Sequence, residues 1–376
     1  MTNSTTLKYI RPHLQSLKPY STARDELGQV KGEIFLDANE NSLGGVIGRA
    51  VVNGRNIITG EIHGADDSNF PDLSRYPDPH STELCTSVSR LPGVKPDNVL
   101  LTNGSDEAID LLFKAFCEPG KDSIIICPPT YGMYAVTADI YNVATHKVPL
   151  QSDFTFDTET VLAQAKRSGA KLLFVCSPNN PTGNLVPKNE ILELQQQFDG
   201  IVVVDEAYID FAPPGSSLAQ DAANCNNMLV LQTFSKAWGL AGARLGKVIG
   251  NPLIIKLFSA IKAPYNVNCL SQQILEQALE RTDELKRQIN DLNRLREELV
   301  SSLKQVPCCE TVYPSSANYL LVRFKDGNKV FNFLRSQGII VRNRHNEPLC
   351  ENCLRITVGS DFENKKLVAF LNNFNE

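Results

Sequence analysis

The chain has 376 residues, 42% hydrophobic and 21% charged. That is an ordinary globular composition, not a disordered one, and long enough for a large core in two or three domains or one large and one small. Thirty-seven Lys plus Arg against 42 Asp plus Glu give a net charge of −5, which argues against a dedicated nucleic-acid binder with its basic face.

Met1 to Tyr20 carries Lys8, Arg11, His13 and Lys18 with no apolar run between them, so no secretory signal is expected. No window approaches eighteen uninterrupted apolar residues, and no transmembrane helix is expected either. The expected compartment is the cytoplasm, where the ten cysteines would be free thiols. Gly44 to Ser74 is rich in Gly, Asn and Asp and reads as a helix start followed by a mobile loop ending at Arg75-Tyr76-Pro77.

From Val99 the chain alternates short apolar runs with helical stretches. The runs are Val99–Leu101, Ser123–Cys127, Lys171–Cys176, Ile201–Val204 and Met228–Leu231. Several are continuous, such as Ile124-Ile125-Ile126 and Val202-Val203-Val204, as in parallel strands buried on both faces. Glu107–Cys117, Glu159–Ser168 and Asn189–Phe198 have helical spacing between them. The alternation predicts an α/β fold with a mostly parallel sheet in a large domain. Leu270 to Gln305 lacks Gly and Pro and reads as one long charged helix. Beyond it, strand-like Ala317–Phe324, Gly338–Val341 and Leu354–Val358 alternate with helical Lys329–Gln337 and Glu363–Phe374, a smaller α+β domain. The expected division is 1–44 as an N-terminal arm and part of the small domain, 45–285 as the large domain, and 286–376 as the small one.

In such sheets ligands bind beyond the carboxyl ends of the strands. Val202–Val204 closes in Asp205-Glu206, with Tyr208 two residues on. A nucleotide hydrolase would need G-x-x-x-x-G-K-[ST] as well, and the chain has none; nor does a G-x-G-x-x-G follow a strand. A carboxylate at a strand end is costly without a cation, and a protonated ring nitrogen is one that fits. Thr233-Phe234-Ser235-Lys236 follows another run, with Gly239, Gly242 and Arg244 close behind. Hydroxyls, glycines and an Arg can bind a phosphate, and a lysine amine beside a cation is activated for carbonyl chemistry. Ser177-Pro178-Asn179-Asn180-Pro181-Thr182-Gly183 is a rigid turn able to fix the Asn180 amide. Gly104-Ser105-Asp106-Glu107 opens a helix, where cap and anion site coincide. Pro128-Pro129-Thr130-Tyr131 could place a ring over a planar ligand. Cys350 and Cys353 form a lone C-x-x-C without a second half-site, and no metal is expected.

Together these pieces, with Leu354-Arg355-Ile356-Thr357, resemble the fold-type I pyridoxal-phosphate aminotransferases over nearly the whole chain. Pro19-Tyr20-Ser21-Thr22-Ala23-Arg24, Leu36-Asp37-Ala38-Asn39-Glu40-Asn41, Arg75-Tyr76-Pro77-Asp78-Pro79 and Lys262-Ala263-Pro264-Tyr265-Asn266 are similar to the histidinol-phosphate aminotransferase family within them. The resemblance implies pyridoxal 5′-phosphate as cofactor. Lys236 would bond it and then shuttle the proton between the substrate Cα and the cofactor. Asp205 would pair with the ring nitrogen, Tyr208 and Asn180 would bond the ring oxygen, and Tyr131 would stack on the ring. Gly104, Ser105, Asp106, Thr233, Ser235 and Arg244 would surround the phosphate. Tyr76 would reach the phosphate of a neighbouring subunit, so a homodimer is implied. Arg355, helped by Arg342, Tyr20 and Asn39, would hold the anionic group of each substrate: the carboxylate of glutamate or 2-oxoglutarate, and the phosphate of histidinol phosphate. The alternatives are a pyridoxal-phosphate decarboxylase of a phosphorylated amino acid, an aromatic amino acid aminotransferase, or a silent protein that kept the fold.

Overall fold

The structure, a computed structural model, describes residues 11–19, 33–46, 51–52, 55–56 and 73–374. Its larger sheet contains β1 Val99–Thr102, β2 Ser123–Ile126, β3 Ala144–Lys147, β4 Leu172–Cys176, β5 Ile201–Asp205, β6 Met228–Thr233 and β7 Gly246–Gly250. The spatial order is β1-β7-β6-β5-β4-β2-β3. β7 is antiparallel to both its neighbours, while the pairings from β6 through β5, β4 and β2 to β3 are all parallel. β1 to β6 therefore share one direction, and their carboxyl ends lie at one edge.

The continuous apolar runs become strands buried on both faces. Val202 and Val204 enter one core and Val203 the other; Ile125 is split from Ile124 and Ile126 in the same way. Helices cover both faces: α1 Thr82–Ser89, α2 Gly104–Phe116, α3 Met133–Tyr141, α4 Thr158–Ser168, α5 Lys188–Gln197, α6 Ala219–Asn224, α7 Pro252–Ile261 and α8 Cys269–Leu279. α2, α3 and α7 pack on the face of Val203, and α4, α5, α6 and α8 on the other.

The second sheet joins β8 Cys309–Val312, β9 Tyr319–Phe324, β10 Arg342–Asn343 and β11 Cys353–Thr357 in the antiparallel order β8-β9-β11-β10. It packs with α9 Thr282–Leu303, α10 Gly327–Ser336 and α11 Asp361–Asn372 around a third core. Ile34 and Leu36 belong to that core, and Ile34–Phe35 pairs in parallel with Ile339–Ile340. The N-terminal segment thus lies against the C-terminal unit and then turns into the space between the sheets.

Two expectations need correction. Leu270–Gln305 is not one helix: α8 ends at Leu279 and α9 starts at Thr282, with Arg281 between them at φ −109°, ψ 31°. Asp283 and Glu284 in the first turn of α9 favour a fresh start there, because acids stabilise a helix N-terminus. Gly44 closes a turn on the Asn41 carbonyl, and Val51–Val52 pairs with Arg55–Asn56 in a short ladder; the helix start and loop expected over 44–74 otherwise lie outside the described residues. Four strands of the two sheets, β3, β7, β8 and β10, lie outside the expected apolar runs. Among the described residues no helix is long and apolar enough to cross a membrane.

Candidate active site

The carboxyl ends of the parallel strands open into a cleft of about 260 Å³ that Arg342 and Arg355 of the second sheet also line. Asp205, the last residue of β5, lies at its floor and is 3% exposed. Tyr134 Oη donates to its Oδ2 at 2.6 Å, and the Ala207 N–H to its Oδ1 at 3.1 Å. Burial pushes this carboxyl up to about 6, against those two hydrogen bonds. Without a cation it is a destabilising group, which is how a site built for a cationic partner behaves.

Tyr208, also buried, accepts a hydrogen bond from Asn39 Nδ2 at 3.0 Å. Asn39 sits in the left-handed region at φ 54°, which Asn tolerates better than most residues. Its N–H donates to Thr357 Oγ1 at 3.0 Å, which ties the N-terminal segment to β11. Asn180 stands in the turn after β4, where Thr130 and the Pro129 carbonyl clamp the neighbouring Asn179 amide. Asn180 Oδ1 accepts from Arg355 Nη1 at 2.7 Å.

Lys236 follows β6 by three residues, and its Nζ donates to the Ala38 carbonyl at 3.0 Å. Burial, the Arg355 guanidinium and Arg244 pull the amine down to about 8, with Glu40 and Asp106 acting in the other direction. A larger share of neutral amine is available near neutral pH than an ordinary lysine offers, and the neutral amine is the nucleophile.

The N-terminus of α2 forms the far wall. Gly104 has φ +74°, and a Cβ there would lie 2.7 Å from Arg244 Nη2. A Cβ on Gly246 would lie 2.6 Å from the Gly104 carbonyl carbon. Both glycines thus let Arg244 and β7 approach the open N–H groups of the first turn, which makes an anion cradle. Arg244 itself has φ 55°, a rare state for a residue with a side chain. Its Nη2 is 3.4 Å from Asp106 Oδ2, and Tyr131 Oη donates to Asp106 Oδ1 at 3.1 Å. The Asp106 carboxylate therefore positions Arg244 and Tyr131, and only its backbone remains for an anion. Thr233 Oγ1 is within 3.1 Å of the Leu245 carbonyl and 3.0 Å of Ser235 Oγ.

Arg342 of β10 and Arg355 of β11 are direct cross-strand partners, 4% and 5% exposed. Arg355 also donates to the Asp37 carbonyl, and its guanidinium carbon lies 5.5 Å from the Tyr319 ring centroid. Both side chains line the cleft, so an anion entering there meets two positive charges carried on neighbouring strands.

Thus Asn39, Ser105, Asp106, Tyr131, Asn180, Asp205, Tyr208, Thr233, Ser235, Lys236, Arg244, Arg342 and Arg355 share one cleft. Gly104 lies just behind Arg244. Tyr76 is not in it: it is 80% exposed and stacked on Tyr265 at 4.4 Å. Tyr20 lies outside the described residues. Sequence reasoning missed Tyr134, Asp37, Glu40 and Arg344. Tyr134 is three residues from Tyr131 and Arg344 two residues from Arg342, so spacing carried a signal for those two.

The match to known proteins agrees with this geometry. The family model for aminotransferase class I and II matches residues 53–371. The histidinol-phosphate aminotransferase of Bacteroides thetaiotaomicron is 44% identical, covering 97% of this chain and 97% of its own. The chain belongs to the histidinol-phosphate aminotransferase family. The enzyme of that name from Christiangramia forsetii is 43% identical over 96% of this chain and 95% of its own. Among solved structures, the histidinol-phosphate aminotransferase of Sinorhizobium meliloti, in complex with pyridoxal 5′-phosphate, has a TM-score of 0.83 at 24% identity, covering 97% and 96% of the two chains. It shares the fold-type I architecture. Pyridoxal 5′-phosphate is the cofactor of this family, and the cleft of this aminotransferase suits it. The glycine-lined cradle at α2 would admit a phosphate, the raised Asp205 carboxyl would welcome a ring cation, and the depressed Lys236 amine would meet an aldehyde.

Proposed function

We propose that the chain moves an amino group between L-histidinol phosphate and 2-oxoglutarate, giving imidazole acetol phosphate and glutamate, as a step of histidine biosynthesis in the cytoplasm. The observation that carries this reading is the facing pair Arg342 and Arg355, buried in the same cleft as Lys236. The amino donor bears a phosphate and no carboxylate; its acceptor bears two carboxylates. A planar guanidinium fork binds either anion bidentately, so one site can serve both half-reactions.

Pyridoxal phosphate supplies the electron sink that makes the substrate Cα–H bond labile. Lys236 would hold the cofactor through Nζ and, once released, move the proton at the substrate Cα. Asp205, held by Tyr134, would keep the ring nitrogen protonated. Tyr208 and Asn180 would bond the ring oxygen, and Tyr131 would lie over the ring. The N–H groups of α2, with Ser105, Ser235, Thr233 and Arg244, would hold the phosphate. Tyr20 and Asn39 would assist the arginines.

The reading includes a homodimer. Tyr76 lies outside the cleft of its own chain, and Leu73, Leu253 and Leu257 are exposed as well, at 58%, 78% and 42%. A second copy covering such apolar side chains would let Tyr76 reach the partner's phosphate site. The test is turnover of histidinol phosphate with 2-oxoglutarate. Stoichiometric glutamate supports transfer, whereas release of carbon dioxide from a phosphorylated amino acid, or preference for aromatic amino acids, would contradict it.

A further inference from the structure

A fourth guanidinium lines the cleft, beside those of Arg244, Arg342 and Arg355. Arg344 lies two residues beyond Arg342, just past the end of β10, and its N–H donates to the Cys353 carbonyl at 3.0 Å. Its side chain is 13% exposed and pairs with Glu347, Nη1 to Oε1 at 2.6 Å. The pair uses one contact only: Arg344 Nε and Glu347 Oε2 are buried without a hydrogen-bond partner. A guanidinium that could form a two-point fork is held here by one prong, and a buried unsatisfied donor is costly. Of the terminal nitrogens, Arg355 has both engaged, by Asn180 and the Asp37 carbonyl, and Arg344 has one engaged, by Glu347.

The two proposed substrates differ in charge at this end of the cleft. A carboxylate brings one negative charge and two acceptor oxygens. A phosphate monoester brings close to two charges at neutral pH and three acceptor oxygens, its second ionisation lying near pH 6. Arg342 and Arg355 suffice for the first anion. The second brings an extra charge and an extra acceptor, and Arg344 has an unused buried donor and a charge that Glu347 offsets through a single contact.

We propose that Arg344 is a specificity-determining residue that favours phosphate-bearing donors over carboxylate-bearing ones, with Glu347 holding it in position. This rests on the substrate reading above. Arg344 supplies the added positive charge, and Glu347 limits how strongly the empty cleft attracts anions in general.

The test measures kcat/KM in the amino-donor half-reaction for histidinol phosphate, for unphosphorylated histidinol and for glutamate, in wild type, Arg344→Gln and Glu347→Gln holoenzymes. Arg344→Gln should reduce the preference for histidinol phosphate over histidinol by about tenfold or more, the loss typical of a charged hydrogen bond. It should shift the ratio of histidinol phosphate to glutamate in the same direction. The KM of the phosphorylated donor should also lose much of its dependence on pH around 6. Glu347→Gln, which leaves the charge of Arg344 without its counter-ion, should raise the preference for the phosphorylated donor. If both ratios stay at the wild-type value in Arg344→Gln, the inference is overturned. If Arg344→Gln does not fold, an unshifted ratio in Glu347→Gln overturns it. Failure of the wild type to use histidinol phosphate at all would instead overturn the substrate reading.

Discussion

Replacing Asp205 by Asn should make the cofactor-free protein more stable and the enzyme inactive. The carboxyl is pushed from its ordinary 3.8 up to about 6, mainly by burial. A raised acid holds its proton in the folded chain between those two values while the unfolded chain releases it. Its contribution to stability is therefore complete below about pH 3.8 and lost as pH rises through about 6. At about 1.4 kcal/mol per unit, the loss is about 3 kcal/mol at pH 7.5 and about 1.5 kcal/mol at pH 5. Asn cannot ionise, so the variant escapes it. The Tyr134 hydroxyl can rotate to accept from the new amide, and the Asn oxygen can still accept from the Ala207 N–H. Glu206 is also raised, to about 7, but it is common to both proteins and drops out of the difference. The assay is urea unfolding of wild type and variant, each freed of cofactor, at pH 5 and 7.5. The variant should be more stable at both, with a margin about twice as large at pH 7.5. A less stable variant, or a margin that does not grow with pH, would refute the claim that Asp205 is a buried charge awaiting a cation.

Other outcomes follow from the same geometry. Lys236→Ala should abolish turnover, leave the fold unchanged by circular dichroism, and remove the absorbance of the lysine-bound cofactor; substantial residual activity would overturn its assignment. Arg355→Ala should raise KM for both histidinol phosphate and 2-oxoglutarate by about tenfold or more, the usual loss for a buried charged hydrogen bond, and an effect on one substrate alone would contradict a shared anion site. Mixing inactive Tyr76→Phe and Lys236→Ala subunits should restore activity in hybrids if the sites are built across a dimer. In such a hybrid one site carries both defects and the other neither, so no recovery on mixing would count against the crossover.

The residues that announced the fold in the sequence are those whose burial is uniform. Val202-Val203-Val204 lies between two helical layers, so every position is apolar, and the strand is plain. β3 is an edge strand whose residues are all at least partly exposed; Thr145, His146 and Lys147 therefore gave no apolar run. β7 is fully buried, but it carries Lys247 between glycine ends, and its reversed direction is a tertiary matter. The break between α8 and α9 has no Gly or Pro to mark it. In the site, residues following strand ends were legible because the fold class says where ligands bind. Tyr134 was not, because its bond to Asp205 joins positions 71 residues apart. Asp37 and Glu40 line the cleft only because Ile34–Phe35 pairs with the C-terminal unit.

The central claim is that one cleft, with Lys236 at its centre and arginines at its rim, passes an amino group from a phosphorylated amine to a dicarboxylic keto acid. Steady-state kinetics of the purified enzyme with histidinol phosphate, histidine and the aromatic amino acids, each with 2-oxoglutarate, test it most directly. The account predicts that kcat/KM for histidinol phosphate exceeds the others by at least the about tenfold that one charged hydrogen bond contributes, with one glutamate formed per donor consumed. Equal or better use of an unphosphorylated amino acid would contradict it.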